Sequence, residues 1–111
     1  MYHHTVVTTP HEINVLMDVS HNHKAIYGLL FRATRDAVQD VARSESSLRA
    51  TVGMLVVLHT WNQLMERHLH LHIALPAGGW SIDKPRTFVT TDDPEWITSD
   101  VLMVAFRKRV L

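Results

Sequence analysis

Residues 67–76 read Arg67-His68-Leu69-His70-Leu71-His72-Ile73-Ala74-Leu75-Pro76, so three histidines alternate with three aliphatic residues. A repeat of two is the strand period, whereas a helix would scatter these imidazoles around its axis. The chain must therefore build a sheet with Leu69, Leu71 and Ile73 on one face and His68, His70 and His72 on the other. Side chains two residues apart on a strand stand roughly 6.5–7 Å apart along the backbone. At that separation two imidazoles can close on one divalent ion, or surround one phosphate. The plain alternative is a surface strand that happens to be rich in histidine. Nine histidines in 111 residues, interleaved with aliphatic side chains that ask for burial, weigh against it.

A chain of this length makes one domain with a core of ordinary size. It has no cysteine, which rules out disulfides and thiolate metal sites. Any ion must be held by His, Asp, Glu, Gln or backbone oxygen. Eleven basic residues balance eleven acidic ones, so no global field advertises nucleic acid, although a local patch can still bind it. No apolar run reaches membrane-spanning length and no signal-peptide pattern opens the chain, so a cytoplasmic location is expected.

Upstream, Val6-Val7-Thr8-Thr9 reads as a first strand stopped by Pro10, which cannot donate to a ladder. Pro10-His11-Glu12-Ile13 suits the start of a short helix with Thr9 as its cap. A longer helix runs from Lys24 to Arg43, with Ile26, Tyr27, Leu30, Phe31, Val38 and Val41 at spacings of mostly three and four. Ser44–Ser47 is a polar linker, followed by a short turn at Leu48-Arg49-Ala50. Gly53–Trp61 is the most apolar stretch and reads as a central strand buried on both faces. Its short link to the histidine strand predicts an antiparallel pair, which would bring His59 toward His70 and His72.

Downstream, Ala77-Gly78-Gly79 breaks the strand, either as a plain turn or as a place where a phosphate approaches the backbone. Trp80–Pro85 reads as a loop and Thr87–Thr90 as an edge strand of the same sheet as Val6–Thr9, Met54–Thr60 and Leu69–Leu75. Thr91–Glu95 reads as a turn, with Trp96 and Ile97 packing back. Thr98 or Ser99 can cap a last helix whose Val101, Leu102, Val104 and Ala105 face the sheet. Arg107-Lys108-Arg109-Val110-Leu111 closes on a helix still in progress, as expected of part of a longer protein.

Two blocks carry a resemblance: Val57-Leu58-His59-Thr60-Trp61-Asn62-Gln63 and His68-Leu69-His70-Leu71-His72-Ile73-Ala74-Leu75-Pro76-Ala77-Gly78-Gly79. Together they resemble the transposases of rolling-circle insertion sequences, the two-tyrosine branch of the HUH single-strand nucleases. Thr8-Thr9-Pro10-His11-Glu12 and Leu29-Leu30-Phe31-Arg32-Ala33 extend the likeness upstream. The chain departs from that pattern at Leu69, where proline is usual, at Asn62, where glycine is usual, and at Trp80, where a third glycine is frequent. None of these removes a metal ligand.

The resemblance implies an α+β fold: an antiparallel sheet with helices packed on it, HUH-nuclease-like, of ferredoxin/RRM-like topology, with the histidine strand central. It implies that His70 and His72 bind Mg²⁺ or Mn²⁺ holding a scissile phosphate, with His59 or His68 as a third ligand. Single-stranded DNA at transposon ends would cross the histidine face, with Arg67, Lys84 and Arg86 on phosphates and Trp61 or Trp80 stacking a base. The family attacks DNA with tyrosines on a helix after the sheet. This chain has only Tyr2 and Tyr27, both ahead of the histidine strand and neither in the family's tyrosine motif. Residues 1–111 are thus expected to be a single catalytic-domain fragment lacking the tyrosine helix. The histidine run also resembles the histidine-triad nucleotide hydrolases, in which His70 would attack an α-phosphate without metal. A third possibility is a non-catalytic metal- or DNA-binding module.

Overall fold

The computed structural model describes residues 2–9, 13, 23–45, 48–61 and 67–110. In chain order the elements are strand β1 (Tyr2–Thr8), helix α1 (His23–Asp40), a π-helical turn (Val41–Glu45) and strands β2 (Ala50–Thr51), β3 (Leu55–Trp61), β4 (Arg67–Pro76), β5 (Gly78–Ser81) and β6 (Phe88–Thr90). Helix α2 (Ser99–Val110) completes them. The architecture is α+β. Two three-stranded sheets, β1-β4-β3 and β2-β5-β6, are antiparallel throughout.

The histidine strand β4 is the centre of the first sheet. Its aliphatic set, Leu69, Leu71, Ile73 and Leu75, is completely buried. Against it pack the stripe of α1, Ile26, Leu30, Ala33, Thr34, Ala37 and Val38, and from α2 Leu102, Ala105 and Phe106. The stripe steps by three and four, so it stays on one side of the helix. The two helices also pack side by side. Asp40 and Arg109 join their ends with two 2.7 Å hydrogen bonds. Thr98 caps α2, its Oγ1 accepting from the Val101 N–H at 3.3 Å. Trp96 and Ile97 are buried, as their place before that helix predicts.

Several expectations need correction. Gly53–Trp61 is not a central strand buried on both faces. β3 is an edge strand that alternates, with Leu55 66% and Val57 45% exposed while Val56 and Leu58 pack on the core. Thr87–Thr90 does not extend this sheet; Phe88–Thr90 pairs with β5 in the second one. Trp80 and Ser81 are strand, not loop, and Ala50 joins Thr51 in β2. The long helix stops at Asp40 and gives way to the π turn, where Ser44 Oγ donates to the Asp40 carbonyl at 2.6 Å. Phe31 and Val104 face outward. Only Ala77 bends the chain at the glycine pair; Gly78 and Gly79 are themselves strand residues. A Cβ on Gly79 would collide with the Thr51 carbonyl, and one on Gly78 would come within 2.8 Å of the Val89 carbonyl. The glycines serve close strand approach. The short helix expected after Thr9 and the link before Arg67 lie outside the described residues, apart from a helical Ile13.

Candidate metal centre

Strand parity builds the site. With Leu69, Leu71 and Ile73 committed to the core, His70 and His72 must face the opposite side, where no described helix covers them and both are half-buried. The β3–β4 register sets His59 directly across from His70 and Val57 across from His72. The register then shifts between His59 and Trp61, so His59 is the last regularly paired residue before an irregularity. Such bulges re-aim side chains at the ends of ladders.

The three imidazoles converge. Ring centroids are 5.0 Å apart for His59–His70, 4.2 Å for His59–His72 and 5.0 Å for His70–His72. One nitrogen from each lies within 4.8 Å of the other two. Nitrogens around a tetrahedral ion with bonds of about 2.0–2.1 Å sit roughly 3.4 Å apart. Small side-chain rotations bridge that difference, so the triad is capable of coordinating a metal ion. An imidazole binds through a neutral ring nitrogen. Burial pushes the His72 imidazole below its ordinary value, and the nearby His59, His70 and His4 push it the same way. His72 is therefore kept in the ligating form to lower pH than a free histidine.

The all-imidazole donor set fits a borderline ion such as Zn²⁺ or Co²⁺ directly. Mg²⁺ and Mn²⁺ favour oxygen and would draw it from water and substrate phosphate.

Comparison with known proteins decides the family. The transposase family described as "Putative transposase" matches residues 53–111, more than half of the chain, including β3, β4 and all three converging histidines. The chain belongs to this transposase family. A relative described as "Putative transposase y4qJ", from Sinorhizobium fredii, is 42% identical over 83 residues. That alignment takes in 74% of this chain and 20% of the relative, so the chain spans about a fifth of that protein's length. No solved structure matches.

The other expected site residues of this transposase-family chain are dispersed. The side chain of His68 lies outside what is described. Trp61 and Arg67 pair at the far end of the β3–β4 ladder, and their side chains are likewise not described. Trp80, Lys84 and Arg86 belong to the second sheet and its β5–β6 loop. Trp80 is 56% exposed and meets the exposed Phe88 edge-on at 5.5 Å. Lys84 and Arg86 are exposed on the same loop, with Arg86 at φ 65°.

One histidine escaped the sequence reading. His4 on β1 lies on the same face, its Nε2 3.1 Å from His72 Nδ1 and its ring stacked on that of His72 at 5.2 Å. The alternation of His4 and Val6 with Thr5 and Val7, which are buried, was the available signal; the pairing of β1 with β4 was not.

Among the described residues no helix is long and apolar enough to cross a membrane.

Proposed function

We propose that this chain is the metal- and DNA-binding part of a rolling-circle, two-tyrosine transposase of the HUH type, which nicks and rejoins single-stranded DNA at the ends of an insertion sequence. The observation that carries the reading is the convergence of His59, His70 and His72 on a sheet face that no described helix covers, in a chain that belongs to a transposase family.

In this reading His70 and His72, helped by His59, hold Mg²⁺ or Mn²⁺. When bound, the ion supplies positive charge against a scissile phosphodiester. The chain's own contribution is to place that phosphate. The face beside the histidines, with Leu55 and Val57 exposed, accepts an extended strand. The Trp80–Phe88 pair offers a surface for a base, and Lys84, Arg86 and Arg67 supply phosphate contacts. The covalent step, attack of a tyrosine hydroxyl on phosphorus with departure of a free 3′-hydroxyl, needs a tyrosine at the site, and Tyr27 packs instead against the core on the other side of the sheet.

Two measurements test the proposal. Calorimetric titration with Mn²⁺ should give one site in the parent and a large loss in H70A/H72A; equal heats in both remove the metal centre. Single-stranded DNA should bind with an affinity that falls steeply with salt, and the slope should become shallower in K84A/R86A. Binding indifferent to salt removes the DNA assignment.

A further inference from the structure

β1 flanks β4 on the side opposite β3, and it brings a fourth histidine to the face. In the β1–β4 register Val6 stands across from His72 and His4 across from Ala74, so His4 is a diagonal neighbour of His72. Its Nε2 meets Nδ1 of His72 at 3.1 Å. It is not one of the three residues whose nitrogens converge. His4 thus touches a candidate ligand without joining the ligand set.

That contact bears on which nitrogen of His72 is available. A neutral imidazole has one N–H and one lone pair, and the partner of the N–H fixes which nitrogen can bind an ion. The contact has two possible directions. If His4 Nε2–H donates, the proton of His72 sits on its own Nε2, and the nitrogen left with a lone pair is already occupied. If His72 Nδ1–H donates to the lone pair of His4 Nε2, His72 Nε2 carries the lone pair and His4 keeps its proton on Nδ1. Only the second arrangement leaves His72 able to ligate.

We propose that His4 is a positioning residue for the metal centre, accepting the Nδ1–H of His72 and so holding Nε2 of His72 as the ligating atom. The proposal rests on the metal-binding reading above. The role asks only for an acceptor at the place of Nε2, and a glutamine side chain can put a carbonyl oxygen there. A phenylalanine fills the same space and accepts nothing.

The test uses H4Q and H4F in the whole chain, each verified as folded by its amide spectrum. In the metal-free protein at pH 8, long-range ¹H–¹⁵N correlation spectra should show His72 as the Nδ1–H tautomer in the parent and in H4Q, shifted toward Nε2–H in H4F. Zn²⁺ titration should then give about a tenfold weaker site in H4F, within the 10- to 100-fold loss typical of partners of metal-binding histidines, and near-parental affinity in H4Q. An Nε2–H tautomer in the parent overturns the proposal, and so does parental affinity in H4F. H4Q as weak as H4F, with the His4 ring nitrogens shifting on Zn²⁺ addition, makes His4 a ligand and also overturns it. A parent that binds no Zn²⁺ defeats the metal centre itself, which the affinities of the variants relative to a binding parent cannot mimic. If H4F does not fold, the parent tautomer and the H4Q affinity still decide.

Discussion

At the scale of single residues, chemistry and packing separate cleanly along the strands. His72 has its pKa lowered by burial first and then by neighbouring imidazoles. The unfolded chain therefore binds the proton more tightly than the folded one. Stability from this group is fully present above about 6.5, the ordinary histidine value, and is lost as pH falls through the lower folded value. Urea melts of the metal-free chain between pH 8 and pH 5 should show a steeper decline in the parent than in H72Q; parallel declines would show that His72 is not the titrating group. Gly79 makes a different point. Its missing Cβ is what lets β5 lie against the Thr51 carbonyl. G79A should cost roughly 1–3 kcal/mol, the usual penalty of overpacking. G53A, where an added Cβ meets nothing within 4 Å, should leave the urea midpoint close to the parent's.

At the scale of elements, alternation predicts which half of a strand matters for stability. L71A empties a completely buried position at the middle of β4 and should cost about 2–5 kcal/mol. L55A removes a side chain that is 66% exposed and should stay within about 0.5 kcal/mol. Comparable losses in the two variants would mean that something covers the histidine face. A second device holds the approach to β3. Gln39 clamps Val52 from both sides, donating to its carbonyl at 2.6 Å and accepting from its N–H at 3.1 Å. Q39L orphans both backbone groups of a buried residue and should cost about 1–3 kcal/mol, read from urea midpoints.

The same scale explains what was legible beforehand. The β3–β4 pair and the facing of His59 to His70 follow from two apolar runs with a short link. The place of β3 does not, because an apolar run reads alike whether its outer face is covered or bare; Leu55 and Val57 proved bare. The second sheet was hidden because β2 has two residues and β5 opens on two glycines, a composition that also describes a loop. His4 was hidden because its contact with His72 spans 68 positions, and nothing local in a sequence reports a register between strands so far apart.

At the scale of the molecule, the two faces of the first sheet are divided between stability and chemistry, and this division sets what the chain can do alone. Helices α1 and α2 lie on the Leu69–Leu75 side, and Tyr27 on α1 is partly buried against that core. The histidines occupy the other side. Tyr27 cannot carry its hydroxyl through the sheet to a phosphate held there. Tyr2 pairs with Pro76, four positions along β4 from His72, at the end of the ladder away from His70. Tyr27 therefore does not stand where phosphorus would be attacked, and Tyr2 joins the ladder at the end remote from His70. Incubation with end-labelled single-stranded DNA and Mn²⁺ should therefore yield retarded complexes on a native gel but no labelled protein after denaturation. A labelled band that disappears in Y2F or Y27F would show that one of these hydroxyls reaches the site after all. Turnover of a nucleoside phosphoramidate in EDTA, abolished by H70A, would instead assign the histidine row to metal-free attack at phosphorus. Binding without either product is what a sheet face that holds the phosphate, with Tyr27 on the opposite side, should give.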